Sequence, residues 1–209
     1  MIVDELGFKA NGDDDIRING VALDKEEKVV YILNKPKNVI SSCRDEKGRT
    51  TVIDLVDSPY RLFPIGRLDY DSSGLILLSN DGKLMNMLTH PKHMVEKTYE
   101  VTVDGSIRNS DLEKLRKGVS FDRFISAEAK VKLIRINENK HTSFLEITIH
   151  EGRNRQIRKM FEALGYRVLR LHRIKEANLE LDNLKSGEYR RLKPIEVKRL
   201  KAYLETDHD

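Results

Sequence analysis

Nine residues, Gly66-Arg67-Leu68-Asp69-Tyr70-Asp71-Ser72-Ser73-Gly74, hold two glycines, two aspartates, two serines and an arginine directly before a run of apolar residues. Loops at strand ends, backed by a rigid sheet, are where reactive side chains are displayed. An aspartate whose pKa is unperturbed, about 3.9, is an ionised carboxylate at neutral pH and can act as nucleophile, base or electrostatic stabiliser. The bland alternative is a turn in which Asp71 and Ser72 bond the backbone. Asp69 and Asp71 make a poor glycosidase-type pair, because side chains two apart on an extended stretch point to opposite faces.

A second segment, Glu151-Gly152-Arg153-Asn154-Arg155-Gln156-Ile157-Arg158-Lys159, crowds basic residues at the start of a helix. Backbone N–H groups there favour anions, and arginines placed there oppose the helix dipole. That mild cost favours a phosphate-facing role over a solvated face, and arginine brings bidentate geometry for phosphate or carboxylate. Tyr99 in Lys97-Thr98-Tyr99 reads either as a core tyrosine or, beside a basic groove, as a stacking platform for a base. His90 and His93 flank Pro91, which disrupts a helical ligand pair, so no metal is expected. Cys43 and the five methionines read as packing.

The elements that must position these residues follow from periodicity. Val29–Leu33 and Leu75–Leu78 are short apolar runs suited to buried strands. Lys97–Val103 alternates in the period of a strand, with Tyr99, Val101 and Val103 on one face. Further strands are predicted at Ala129–Ile136, Phe144–His150, Arg167–Leu171, Glu176–Leu181 and Tyr189–Leu192. Helices are predicted at Lys83–Leu88, from Ser110 to Lys117 with a Ser110/Glu113 capping box, from Arg155 to Gly165, and from Pro194 to about Leu204. In the third of these, Ile157, Met160, Phe161 and Leu164 share one face, with Arg155, Arg158, Lys159 and Glu162 opposite. Ile16–Leu23, around Asn19-Gly20, reads as a hairpin, and the last five residues read as a frayed end. Strands outnumber helices and connections are short, so the fold class is α+β around a largely antiparallel sheet.

Charge sharpens the picture. The 209 residues carry a net charge of only +4, yet His150–Lys175 holds eight Lys/Arg and two acids. A concentrated basic stretch on a balanced background is the footprint of an anion-binding face. The longest apolar run is five residues, too short to span a membrane, and the single cysteine excludes an intrachain disulfide. The N-terminus carries no signal pattern, and no nucleotide-binding or metalloprotease motif occurs. A cytoplasmic location, no cofactor and a monomer are expected.

Four stretches, NKPKNVISS (Asn34–Ser42), FPIGRLDYDSSGLILLSNDG (Phe63–Gly82), EKTYEV (Glu96–Val101) and HEGRNRQIRKMFEALGYRVLRLHR (His150–Arg173), resemble in that order the motifs of the RsuA/RluB-like ribosomal RNA pseudouridine synthases. The resemblance runs from about Lys28 to Leu204. It implies a pseudouridine synthase fold, a bent, mostly antiparallel sheet with flanking helices and a central RNA-binding cleft, which isomerises a uridine of ribosomal RNA without cofactor or metal. By position, Asp69 matches the catalytic aspartate, Tyr99 the tyrosine packed on the target base, and Arg158 the basic residue paired with that aspartate. Arg67 matches the arginine that helps displace the nucleotide. Arg153, Arg155, Lys159, Lys35, Lys97 and Arg173 are expected to contact RNA. EGRNRQIRKMF and HPKH favour the large-subunit branch. Two departures stand out: Asn38 occupies a position the family usually gives to glycine, and residues 1–27 look like the last portion of a small RNA-binding domain preceding a catalytic domain at 28–209. The chain is then either a shortened form or an atypical member. A non-catalytic RNA-binding or ribosome-assembly module on the same fold is the runner-up reading, and a glycosidase a distant third.

Overall fold

The computed structural model describes residues 16–22 and 26–206. The expectations for residues 1–15, for Leu23 and for 207–209 lie outside the described residues. β1 (Arg17–Ile18) and β2 (Val21–Ala22) pair antiparallel across Asn19 and Gly20. Both turn residues have positive φ, +51° and +83°, as the tight hairpin turn read from Asn-Gly requires.

The rest is one α+β unit. Its strands are β3 (Val30–Lys35), β4 (Phe63–Ile65), β5 (Ser73–Ser79), β6 (Lys97–Asp104), β7 (Ser120–Phe121), β8 (Phe124–Ile125), β9 (Lys130–Asn137), β10 (Thr142–Ile149), β11 (Val168–Glu176), β12 (Leu179–Glu180) and β13 (Tyr189–Arg191). Its helices are α1 (Gly82–Thr89), α2 (Asn109–Lys117), α3 (Gln156–Ala163) and α4 (Pro194–Thr206). The central sheet runs β13-β3-β5-β11-β6-β10-β9, with β4 beside β5 and β12 beside β11.

The sheet is buried on both faces around β5, which explains its unbroken apolar run. Leu75 and Leu77 join one core with Leu84 and Leu88 of α1 and Leu200 and Leu204 of α4. Ile76 and Leu78 join the other, with Tyr99, Val101 and Val103 of β6 and Ile157, Met160 and Phe161 of α3. The predicted alternation of β6 and the apolar stripe of α3 therefore meet in one layer.

All strand pairs are antiparallel except β5 with β11, which run parallel at His172–Ser73 and Arg173–Gly74. Gly74 has φ +113°, and a Cβ there would fall 2.2 Å from the Arg173 carbonyl oxygen. Only glycine permits this backbone approach. In the next pair Arg173 lies opposite Tyr99. Gly74, Arg173 and Tyr99 thus form one row across three strands, just beyond the Asp69 loop.

Two predicted details differ. The strand expected at Arg167–Leu171 runs on to Glu176 as the bulged β11, and the one expected at Glu176–Leu181 is the end of β11, a turn and the short β12. In β11, Arg170, His172 and Lys175 look like loop residues, but pairing to β6 overrides that preference. The Ser110/Glu113 capping box does not form: α2 begins at Asn109 without a side-chain cap. Asp111 instead accepts from Arg108, Lys114 and the Tyr166 hydroxyl, while Glu113 pairs with Arg116.

Candidate active site

The Asp69 loop is fastened from beneath. The Ser41 hydroxyl donates to the Leu68 carbonyl at 3.0 Å and accepts from the Leu68 N–H at 3.1 Å. The Asn38 N–H donates to the Tyr70 carbonyl at 2.8 Å, with Asn38 at φ +64°. This is the left-handed conformation that asparagine tolerates in place of glycine. The Ser72 N–H closes a turn onto the Asp69 carbonyl at 3.0 Å. With its backbone held on both sides, Asp69 keeps a side chain that is 29% exposed.

Lys35 is the main fastening. Expected at the RNA, it is instead fully buried, and its ammonium donates to the Pro36, Val39 and Ser72 carbonyls at 2.9, 2.8 and 2.9 Å. Three donors meeting three acceptors leave none for a phosphate. Burial pulls its pKa down to about 8, against the opposing charges of Asp69 and Asp71.

Two arginines of α3 reach over the loop. Arg155, at the helix N-cap with φ +52°, forks Asp71 with bonds of 3.0 and 3.1 Å. Its Nη1 also lies 3.9 Å from an Asp69 carboxylate oxygen. Arg158 Nη2 donates to the Asp71 carbonyl at 3.1 Å and the Ser72 hydroxyl at 3.3 Å, and pairs with the Asp71 carboxylate at 3.3 Å. Its Nη1 reaches the Val168 carbonyl at 3.2 Å. The expected Arg158–Asp69 pair is therefore replaced: among the described residues, Asp71 takes both arginines' closest contacts. Partial burial alone would raise the Asp71 pKa, but the Arg155 fork and the Arg158 charge bring it below the usual carboxylate range. Asp71 is the anchor, which leaves Asp69 next to a positive field without being locked into a fork.

Tyr99 lies 8% exposed in β6. Burial raises its phenol pKa, with Arg173 opposing and Glu176 and Asp69 adding to the rise, so the phenol is neutral at pH 7. Arg173 is buried, with Nε donating to the Leu75 carbonyl at 2.7 Å and Nη2 within 3.2 Å of buried Glu176. It does not face solvent, so it is no phosphate contact. Lys97 also turns inward: its ammonium donates to the Val95 carbonyl at 3.0 Å, and burial lowers its pKa despite the Glu176 charge.

Asp69, Tyr99, Arg155 and Arg158 therefore converge where the β5 loop, the middle of β6 and the start of α3 meet. Residues 29–163 match the family described as RNA pseudouridylate synthase. The chain belongs to that family. It is 48% identical over 202 residues to ribosomal large subunit pseudouridine synthase B of Bacillus subtilis (strain 168), covering 96% of this chain and 83% of the relative. It is 40% identical to ribosomal large subunit pseudouridine synthase E of Vibrio parahaemolyticus, covering 83% and 78%. A crystal structure of a pseudouridylate synthase superposes with a TM-score of 0.75 at 33% identity, covering 95% of this chain and 85% of that one. A human RNA pseudouridylate synthase domain, at 15% identity and TM-score 0.54, shares the fold.

The rim of this candidate site carries the remaining predicted cations. Arg67 and Arg153 are exposed. The Arg153 guanidinium stacks 3.5 Å over the Phe124 ring, and Lys159 pairs with Asp122 at 2.7 Å. Both contacts dock the β7–β8 hairpin against α3, an element that sequence periodicity missed because its strands have two residues each. Also missed was the latch that starts α3. Gln156 Nε2 donates to Glu151 at 2.6 Å, its Oε1 accepts from the Arg153 N–H at 3.1 Å, and Glu151 accepts from the Ala127 N–H at 3.1 Å. The signal for it is the Glu151/Gln156 pair five residues apart, flanking the arginines. A cavity of about 700 Å³ opens elsewhere, between Glu96, Glu100, Glu146, Glu180 and Asp182, and is lined by neither Asp69 nor Tyr99. Its acidic lining is the wrong charge for a polyanion. Among the described residues no His/Cys/Asp/Glu group is suited to a metal, and no helix is long and apolar enough to cross a membrane.

Proposed function

We propose that the chain isomerises a uridine of large-subunit ribosomal RNA to pseudouridine in the cytoplasm, with Asp69 as the catalytic carboxylate. The reaction breaks the bond from ribose C1′ to uracil N1, turns the uracil, and forms a bond from C1′ to C5. C5 loses its proton and N1 gains one, so no electrons are exchanged and no redox cofactor is required. A base within a helix must first be flipped out, at a cost of a few kcal/mol. Stacking on Tyr99 offsets about 1–3 kcal/mol of that cost, and phosphates held by Arg67, Arg153 and Arg155 offset more. The Asp69 carboxyl group then meets the ribose or ring, with Arg155 and Arg158 supplying positive potential from the α3 side.

The observation that carries the reading is a carboxylate left partly open on a rigidly fastened loop, while its neighbour Asp71 absorbs the arginines. A binding module has no use for that division between two aspartates. The large-subunit assignment follows the named substrates of the relatives. The experiment is release of tritium from C5-labelled uridine in large-subunit ribosomal RNA under single-turnover conditions. Release by the wild type and none by Asp69→Asn is expected. Equal release by both removes Asp69 from the chemistry. Tight RNA binding without release favours the binding-module alternative.

A further inference from the structure

Arg173 occupies a position that neither RNA contact nor packing explains. It sits in the row Gly74–Arg173–Tyr99 and is 2% exposed. Its guanidinium faces three strands: Nε donates to the Leu75 carbonyl of β5, buried Tyr99 of β6 stands directly opposite it in the pairing, and Nη2 pairs with Glu176 of its own β11. The Glu176 contact, at 3.2 Å, is close but misaligned, since neither Arg173 Nη2 nor Glu176 Oε2 has a hydrogen-bond partner. A buried ion pair of this kind is poor at adding stability, because desolvation consumes its attraction and apolar residues can replace it. Its use must lie in what the guanidinium is made to hold.

We propose that Arg173, held by Glu176, is a positioning residue that fixes the Tyr99 hydroxyl in the synthase site. The proposal rests on the pseudouridine synthase reading above. A planar guanidinium can span the Leu75 carbonyl and the Tyr99 oxygen together, which a lysine ammonium on a flexible stem cannot reproduce. Anchoring at Leu75 ties the ring of Tyr99 to the strand that follows the Asp69 loop. The two groups that meet the uracil are thereby referenced to one another through a single side chain. The charged groups acting on Tyr99 are Arg173 and Glu176 from β11 and Asp69 from the loop. Lys97, from β6, acts on Glu176 and Arg173. On the β10 side Tyr99 faces Ile147, which is apolar.

Two measurements test this on the full chain. The first titrates the Tyr99 phenol by NMR of ring-labelled tyrosine, assigned with Tyr99→Phe. Arg173→Met should raise its pKa and Glu176→Gln should lower it, because the two charges act on the phenolate with opposite signs. An unchanged phenol in both variants would overturn the contact, whatever the enzyme's activity. The second is a double-mutant cycle in single-turnover tritium release at saturating RNA. Arg173→Met should slow release about 10²-fold in the wild type, the scale on which a displaced group loses rate. In Tyr99→Phe it should change the rate by no more than about twofold, since its effect passes through the missing hydroxyl. Arg173→Lys should not restore the rate. Equal slowing in both backgrounds would show that Arg173 acts on the fold instead. If Arg173→Met does not fold, Arg173→Met/Glu176→Gln removes both charges and enters the same cycle. Absence of tritium release by the wild type on every RNA would defeat the function proposed above, while the titration would still decide the Arg173–Tyr99 contact.

Discussion

The cations of this chain divide into two sets with the same chemistry and opposite fates. Lys35, Arg158 and Arg173 point inward and spend their donors on carbonyls, Ser72 and carboxylates. Arg67 and Arg153 point outward at the rim, and Arg155 bridges the two sets through Asp71. The inward set fastens the loop and strands that display Asp69 and Tyr99. The outward set stays open to solvent, where the proposed function would have it meet RNA. Counting charge along His150–Lys175 therefore overstates the anion-facing surface, since Arg173 and most of Arg158 are consumed inside.

The largest effect that can break this comparison belongs to Lys35. Lys35→Met strands three carbonyls, and at about 1–3 kcal/mol for each unsatisfied buried group it should cost at least about 3 kcal/mol. Urea unfolding should show a lower midpoint at unchanged slope. A variant as stable as the wild type would mean that the inward set does not fasten the loop. The pH dependence has a definite sign. Lys35 has a folded pKa near 8 and an unfolded one near 10.4. Between these values the unfolded chain holds a proton that the native chain has shed. This group therefore makes stability rise with pH in that window, by up to about 1.4 kcal/mol per unit, and adds no slope below it. Lys35→Met should remove that rising component.

Next in size is the contrast within α3. Arg158→Ala should slow single-turnover release by about 10²-fold with little change in affinity, because its donors hold the Asp69 loop. Arg155→Ala should chiefly weaken RNA binding. Because Arg155 lies 3.9 Å from Asp69, a larger rate loss in Arg155→Ala would exchange the two roles.

The outer rim should show smaller, additive effects. Arg153→Ala should flatten the log–log salt dependence of RNA affinity by about 0.7–0.9. Lys159→Ala should do less, its ammonium being paired with Asp122. Arg67→Ala should slow the step that flips the nucleotide, with a smaller change in salt slope. The smallest effect on stability is Asp71→Asn, which should lose under about 1 kcal/mol, as a partly exposed ion pair does. Its folded pKa lies below the unfolded value. Its contribution is thus complete above the unfolded pKa and disappears as pH falls through the folded one. Acid unfolding of Asp71→Asn should show a correspondingly shallower slope below about pH 4.

What was legible in the sequence was what periodicity and turn chemistry control. β5, the Tyr99 face of β6, the stripe of α3, the Pro194 start of α4 and the Asn-Gly turn all follow from such signals. Strands of two or three residues carry no period, which hid β4, β7 and β8. A bulge between Arg173 and Lys175 resets the alternation, which hid the second half of β11 beyond Leu171. For the site, the residue types and the Asp69 loop were legible. The partners were not, because burial of a lysine or arginine depends on carbonyls contributed by distant elements. Nothing local to Lys35 announces Ser72, and nothing local to Arg173 announces Leu75.

The central claim is that Asp69 converts a ribosomal uridine. It is tested most directly by mapping pseudouridines in large-subunit ribosomal RNA from cells lacking this gene and resupplied with either the wild-type chain or Asp69→Asn. The account predicts at least one site that is lost on deletion, returns with the wild type and stays absent with Asp69→Asn. A map unchanged by deletion, or restored equally by both chains, would contradict it.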